Sequence, residues 1–502
     1  MKVPMKKSWL LMLALSSSLA LAACSEKEDN AAGEKNSEVS ETSAKKEEVV
    51  EEKLLNNITL SAPRGFVRDE VQFNVTDLKA EKPVELVWNS IDGEYIVEDL
   101  YAVIGPKFTE KEITIFEGTA DADGKWAGKF NVPEGFGGDF TVWVKQGGKK
   151  IGQVGYTVDP SFVMEPQSGP VGTEITIKME GLGWSTYMRN WQLTYDNKYT
   201  GLVTGISTNG TAEAKIRAAG SVGDHAIRLR TGYLGMQYIN YLQSPYPDKP
   251  APDFMFKITD GVAPTIANHV EEAPVAASGG VEMPELKQKK DVKVALSVDE
   301  GIVGDPVKLT STGLPKDTEV ELVWNTMKGS RVSGNGFAEE VTSLDKIKTD
   351  ATGNLDYDFK VPDDLGGIPH RLDLVANGEV YGQTYLRILP SIVDFSPKSG
   401  PVGTKISITI KGGGWTEFDN AYYLTYDNAY TGYLCAFNSQ GNLTFDVIAT
   451  GDVGHHLIDL YPGIYKQKEL ATDMTLIPQL TYSTDHPGSA MPAIRLAFEV
   501  TK

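Results

Sequence analysis

Residues Ser168–Gly172 read SGPVG and Ser399–Gly403 read SGPVG again, and the likeness continues at a constant offset of 231, the distance from Gly169 to Gly400. A long repeat restricts the possible folds, because each unit must close a core of its own or bury its apolar face on its copy. In both copies apolar residues alternate with polar ones. Ile175, Ile177 and Met179 interleave with Glu174, Thr176 and Lys178, as Ile406, Ile408 and Ile410 do with Lys405, Ser407 and Thr409. Ile227 and Leu229 match Ile458 and Leu460 in a later run. A period of two is that of a strand with one face in a core. Gly, Asn, Asp and Pro separate the runs, and no segment after the N-terminal one carries a helical apolar stripe, so the fold class is all-β.

The segment before each SGPVG run also has a partner. Glu85-Leu86-Val87-Trp88-Asn89 returns as Glu321-Leu322-Val323-Trp324-Asn325, and Val132-Pro133 with Gly137-Gly138 returns as Val361-Pro362 with Gly366-Gly367. This offset drifts between 229 (Pro133 to Pro362) and 236 (Glu85 to Glu321), so loops differ in length here. The order is A, B, linker, A, B. Module A1 covers 54–158, B1 159–262, the linker 263–290, A2 291–388 and B2 389–502. The linker is rich in Pro, Ala and Glu.

The first residues carry Lys2, Lys6 and Lys7, an apolar run from Trp9 to Leu21, and small residues before Cys24, the layout of a secretory signal peptide over 1–23. The run is short for a membrane span and is followed by acidic sequence. Leu21-Ala22-Ala23-Cys24 resembles the bacterial lipobox, which implies that the Cys24 thiol takes a diacylglyceryl group and becomes the new N-terminus. Two or more acyl chains hold a protein firmly on a bilayer, so a membrane-anchored chain facing outside the cytoplasm, on a cell membrane or outer membrane, is expected. Residues 24–53 are Glu, Lys, Ser and Ala with almost no aromatic side chain, a composition that forms no core and reads as a disordered acidic tether. A tether of about 30 residues reaches roughly 30 Å. The net charge of −20 argues against nucleic acid as a partner. With Cys24 lipidated, Cys435 has no intrachain disulfide partner and reads as a small residue in a strand.

In the B modules, Pro166, Gly169, Gly172-Thr173 and Gly181-Leu182-Gly183-Trp184, with Pro397, Gly400, Gly403-Thr404 and Gly412-Gly413-Gly414-Trp415, resemble the opening of the IPT/TIG type of immunoglobulin-like domain. The resemblance covers the first third of each B module and implies an E-set, immunoglobulin-like β-sandwich of the kind found in cell-surface proteins. It brings no catalytic residues and no cofactor. The expected architecture is tandem immunoglobulin-like sandwiches after a signal peptide and a disordered acidic linker.

One polar block is repeated. Tyr195-Asp196-Asn197-Lys198-Tyr199 matches Tyr426-Asp427-Asn428-Ala429-Tyr430, and Asp-Asn between strands is a hairpin-turn signal. With Trp184 and Trp415, the tyrosines offer flat apolar faces beside carboxylate and amide groups, a mixture suited to sugar rings. His225 and His456 are the shared histidines of Gly223-Asp224-His225 and Gly454-His455-His456. No zinc, phosphate-loop or nucleophile-elbow motif accompanies them, so neither a metal nor a catalytic residue is assigned. Asp121-Ala122-Asp123-Gly124 opens like a calcium loop, lacks the later ligands, and reads as a hairpin turn. The expectation is a non-enzymatic surface lipoprotein whose repeats bind an envelope or extracellular partner, a polysaccharide or protein. The alternatives are a structural spacer of the envelope and, with fewest residues behind it, an enzyme with a site at His225 or His456.

Overall fold

The computed structural model describes residues 54–502 apart from 55–56, 101, 186–187, 234–235, 244–250, 273–279, 331–335, 417, 465–477 and 489–490. Cys24, the signal segment and the tether lie outside the described residues. Among the described residues the chain is all-β, with three short 3-10 turns and four sandwiches of one topology.

Module A1 pairs a three-stranded sheet (Ile58–Leu60, Glu70–Val75, Trp126–Asn131) with a five-stranded one (Arg64–Gly65, Lys149–Val158, Gly138–Gln146, Pro83–Glu98, Ala102–Thr119). The same strand order recurs in A2, B1 and B2. The alternating residues are the reason the sheets stack. Val84, Leu86 and Trp88 point into one core, Ile175, Ile177 and Met179 into another, and Ile406, Ile408 and Ile410 are wholly buried in a third. Burying a side chain of this size removes apolar area worth about 2 kcal/mol from water. Asp121 accepts the amides of Asp123 and Lys125, and Asp350 does the same for Thr352 and Asn354. Both are tight turns that carry the chain from one sheet to the other, and the strands they join are not paired, so the Asp121 turn is not the hairpin expected from its sequence.

Each A module meets its B module at a glycine. Gly137 bridges to Gly183 and Gly366 to Gly414, and a Cβ on Gly137 or Gly366 would lie 1.9 or 2.0 Å from the carbonyl of Gly181 or Gly412. The modules also exchange core residues. Tyr95, at the end of A1's long hairpin, is buried in the cluster that contains Phe418 and Tyr482 of B2, and its hydroxyl donates to Asp485 at 3.3 Å. Residues 54–502 therefore form one compact body rather than a string.

The described parts of 263–290 are docked on this body. His269–Val270 pairs antiparallel with Arg495 and Ile494 of B2, Thr265 donates to the Gly172 carbonyl at 2.5 Å, and the Lys289 amide reaches the Tyr381 carbonyl at 2.8 Å. Pro, Ala and Glu make a poor core, but main-chain groups of such a segment can still complete the edge of a neighbouring sheet.

Candidate functional site

The Asp-Asn turns have both residues in the left-handed region, with φ of 49° and 63° at Asp196 and Asn197 and 48° and 59° at Asp427 and Asn428. Such a turn matches the twist of the flanking strands. The turn aims each aspartate at the neighbouring strand. Asp196 accepts the Ala226 amide at 3.0 Å and meets His225 Nδ1 at 2.6 Å, and Asp427 accepts the Leu457 amide at 2.9 Å and meets His456 Nδ1 at 2.6 Å. The other ring nitrogen lies 2.8 Å from a carbonyl in both copies, that of Ser221 or of Asp452. Tyr195 and Tyr426 stack on these histidines at 5.6 Å, and their hydroxyls donate to the Ala219 and Thr450 carbonyls at 2.8 Å. The Asp427 carboxylate, as acceptor for the ring, raises the pKa of His456 above its usual value. Both nitrogens of each ring are taken up by these neighbours, so neither is turned toward a metal. The repeated Tyr, Asp and His thus form a clasp between adjacent strands.

The remaining predicted residues do not join the clasp. Trp184 lies 6.0 Å from Phe108 of A1, and Trp415 is buried 6.2 Å from His370 with its Nε1 donating to the Ile368 carbonyl at 3.3 Å. Both tryptophans serve the A–B junctions. Tyr199 meets Tyr430 of the other copy edge-on at 6.4 Å and donates to Gln192, while burial pushes its hydroxyl well above the ordinary tyrosine range. Asn428 donates to the Arg217 carbonyl at 2.7 Å, whereas Asn197 is exposed. The two blocks therefore meet one another across B1 and B2 instead of lining a shared cleft.

Apart from the Tyr199–Tyr430 meeting, that contact joins unlike faces of the two copies, and no sequence pattern announces it. B1 contributes the side of its sandwich between Lys198–Val203 and Ala212–Arg217, and B2 contributes the outer face of the sheet strands Gly454–Pro462 and Ile494–Val500. Tyr461, Leu480 and Ala493 of B2 close the core of B1. Arg217, 3 % exposed, pairs with the wholly buried Asp459, which also faces Arg495 at 3.5 Å, and Arg495 reaches Glu271 at 2.7 Å. Two cations and two anions balance in this chain, as buried charge requires. The segment after Pro478 completes the contact. It lies parallel to the edge of B1, with the Leu202 amide donating to the Pro478 carbonyl at 2.7 Å and the Leu480 amide to the Leu202 carbonyl at 2.8 Å.

The matching side of B2, between Ala429–Cys435 and Leu443–Ile448, rests on B1 at Tyr430 and beyond it is open among the described residues. It holds a groove of about 640 Å³ lined by Leu424, Tyr433, Phe445, Val447 and Ile448 on its apolar part, with Lys198 and Asp427 at its rim. Tyr433 is 48 % exposed where its counterpart Leu202 is 7 %, and Ile448 is 49 % exposed where Arg217 is 3 %. Of the predicted residues, Tyr426 and Asp427 border this groove.

No family model matches the chain, and no curated protein matches it. Among solved structures it is similar to a mutant Salmonella alpha-2-macroglobulin, at 10% identity and a TM-score of 0.19 over 87% of this chain and 30% of that one. It is also similar to a tetra-tandem repeat in the extending region of a large adhesion protein, at 9% identity and a TM-score of 0.17 over 88% of this chain and 99% of that one. Spo0M, a sporulation control protein from Bacillus subtilis, matches at 10% identity and a TM-score of 0.16 over 43% of this chain and 91% of that one. The chain spans 30% of the length of the Salmonella protein.

Proposed function

We propose that this chain is a non-enzymatic surface lipoprotein, anchored through Cys24, that binds a partner in the cell envelope or outside it through the open side of B2. One observation carries the reading: the same side of B1 is already a protein-binding surface, filled by Tyr461, Leu480 and the Arg217–Asp459 pair. An apolar groove with a few polar groups at its rim is the usual form of a binding site. The anchor is supported by the three N-terminal lysines, the short apolar run and the small residues before Cys24. Cys24→Ser should release the chain from the membrane fraction. Retention of that variant in the membrane would remove the lipid from the proposal.

A spacer role is favoured by the clasps and tryptophans, which are used in packing. The two readings separate in a titration of the full chain with envelope polysaccharides and with extended peptides, using Ile448→Glu as the control. Binding that Ile448→Glu abolishes supports the B2 site. No saturable binding by either class leaves the spacer.

A further inference from the structure

We infer that the groove of B2 receives an extended polypeptide segment, which adds in parallel to the edge strand Ala429–Cys435 at Tyr433 and lowers apolar side chains into the open core. The inference rests on the binding role proposed above and names the ligand class. The first copy supplies the pattern. There an extended segment bonds both main-chain groups of Leu202, which faces Gln192 in the sheet, and Tyr433 faces Tyr423 in the same register. The Tyr433 amide and carbonyl are therefore turned outward, ready for an added strand.

The landing place is also kept. A Cβ on Gly201 would lie 2.7 Å from the Pro478 carbonyl and 2.9 Å from the Leu480 side chain, so the segment approaches B1 this closely only because residue 201 is glycine. Gly432 stands at the same position of B2 with no described residue within 4 Å of its Cβ site. The one charged position at the mouth has become apolar, and a small residue has become aromatic. Ile448 replaces Arg217, Phe445 replaces Ala214 and Val447 replaces Ile216, and Phe445 and Val447 are only partly buried. Arg217 selects Asp459, whereas this mouth selects leucine-like or aromatic side chains. A second copy of the chain is a poor occupant. The face of B2 that fills B1 is already covered, and the matching face of B1 carries Arg230 where B2 has Tyr461.

The test uses the full-length chain in detergent and a synthetic peptide, IPQLTY, taken from 477–482, with a photo-reactive leucine at the position of Leu480. Saturable binding with cross-links on Tyr433, Phe445 or Ile448 is expected. Gly432→Val should weaken it by about tenfold or more. Tyr433→Pro should do the same, since it removes an outward donor that the sheet does not use. Binding that survives Tyr433→Pro but is lost in Ile448→Glu would overturn strand addition while leaving the groove as a binding site. Cross-links confined to B1 would overturn the inference, as would dimerisation of the chain that Ile448→Glu abolishes. If the peptide fails and chitin oligosaccharides bind in an Ile448-dependent way, the peptide class is wrong and the binding role stands. If neither binds at millimolar concentration, both fall.

Discussion

At His456 the surroundings favour the charged ring. The ring lies between the Asp427 carboxylate and the Asp452 carbonyl, two acceptors, and the first of these raises its pKa. A histidine whose pKa rises on folding adds stability that is complete below the unfolded value near 6.5 and is lost as pH climbs through the folded value. Thermal melts of the full chain should therefore show B2 weakening above about pH 6.5, and Asp427→Asn should flatten that slope. Asp427→Ala should cost about 1–3 kcal/mol in urea titrations, because a charged partner and an amide acceptor go together. Arg217 is a different case. Removing it leaves Asp459 wholly buried with Arg495 alone, so Arg217→Met should cost about 3 kcal/mol or more even though it adds apolar surface. An unchanged urea midpoint would show that the pair contributes nothing. None of this could be seen in the sequence, where Tyr, Asp and His were visible as a shared set but their union in a clasp was not.

Strands were the legible elements. The alternation at Ile175–Met179 and Ile406–Ile410 gave both the strand and the buried face, because a pleated strand has no other way to separate five such residues. The same rule failed to tell Ala212–Arg217 from Leu443–Ile448, which alternate alike, yet Ile216 is wholly buried and Val447 is partly open. What covers a strand from outside is not in its own period. One substitution made twice exposes the difference. Gly201→Val should destabilise by roughly 1–3 kcal/mol, since it drives the Pro478–Leu480 segment away, and Gly432→Val should lie within about 0.5 kcal/mol of the parent. Equal costs in denaturant titrations would mean that the two edges are equally covered. The stretch 263–290 adds that a segment with the composition of a linker can still dock, since the main chain of its described parts pairs with B2 and A2.

For the whole molecule the consequence is cooperativity. B1 takes Tyr461, Leu480 and Ala493 from B2, and B2 takes Tyr95 and Val103 from A1, so neither B core is complete within its own module, whereas the buried cores of A1 and A2 are each drawn from one module. Calorimetry should show fewer transitions than four, and an isolated fragment 159–262 should bind a dye for exposed apolar surface and melt well below the full chain. Four separate transitions, or a fragment as stable as the parent, would contradict the shared cores.

The sequence by itself determined the duplication, the all-β class, the faces of the strands and the turns between them, because these follow from local periodicity and from the few residues that accept left-handed backbone. The tertiary structure alone decided what the two copies do differently. Two similar modules joined mainly through unlike faces cannot satisfy both, and part of the second is left over. Gly201 and Gly432 sit at the same place in the repeat, and only the packing shows that one is covered by the chain's own segment while the other opens on a groove.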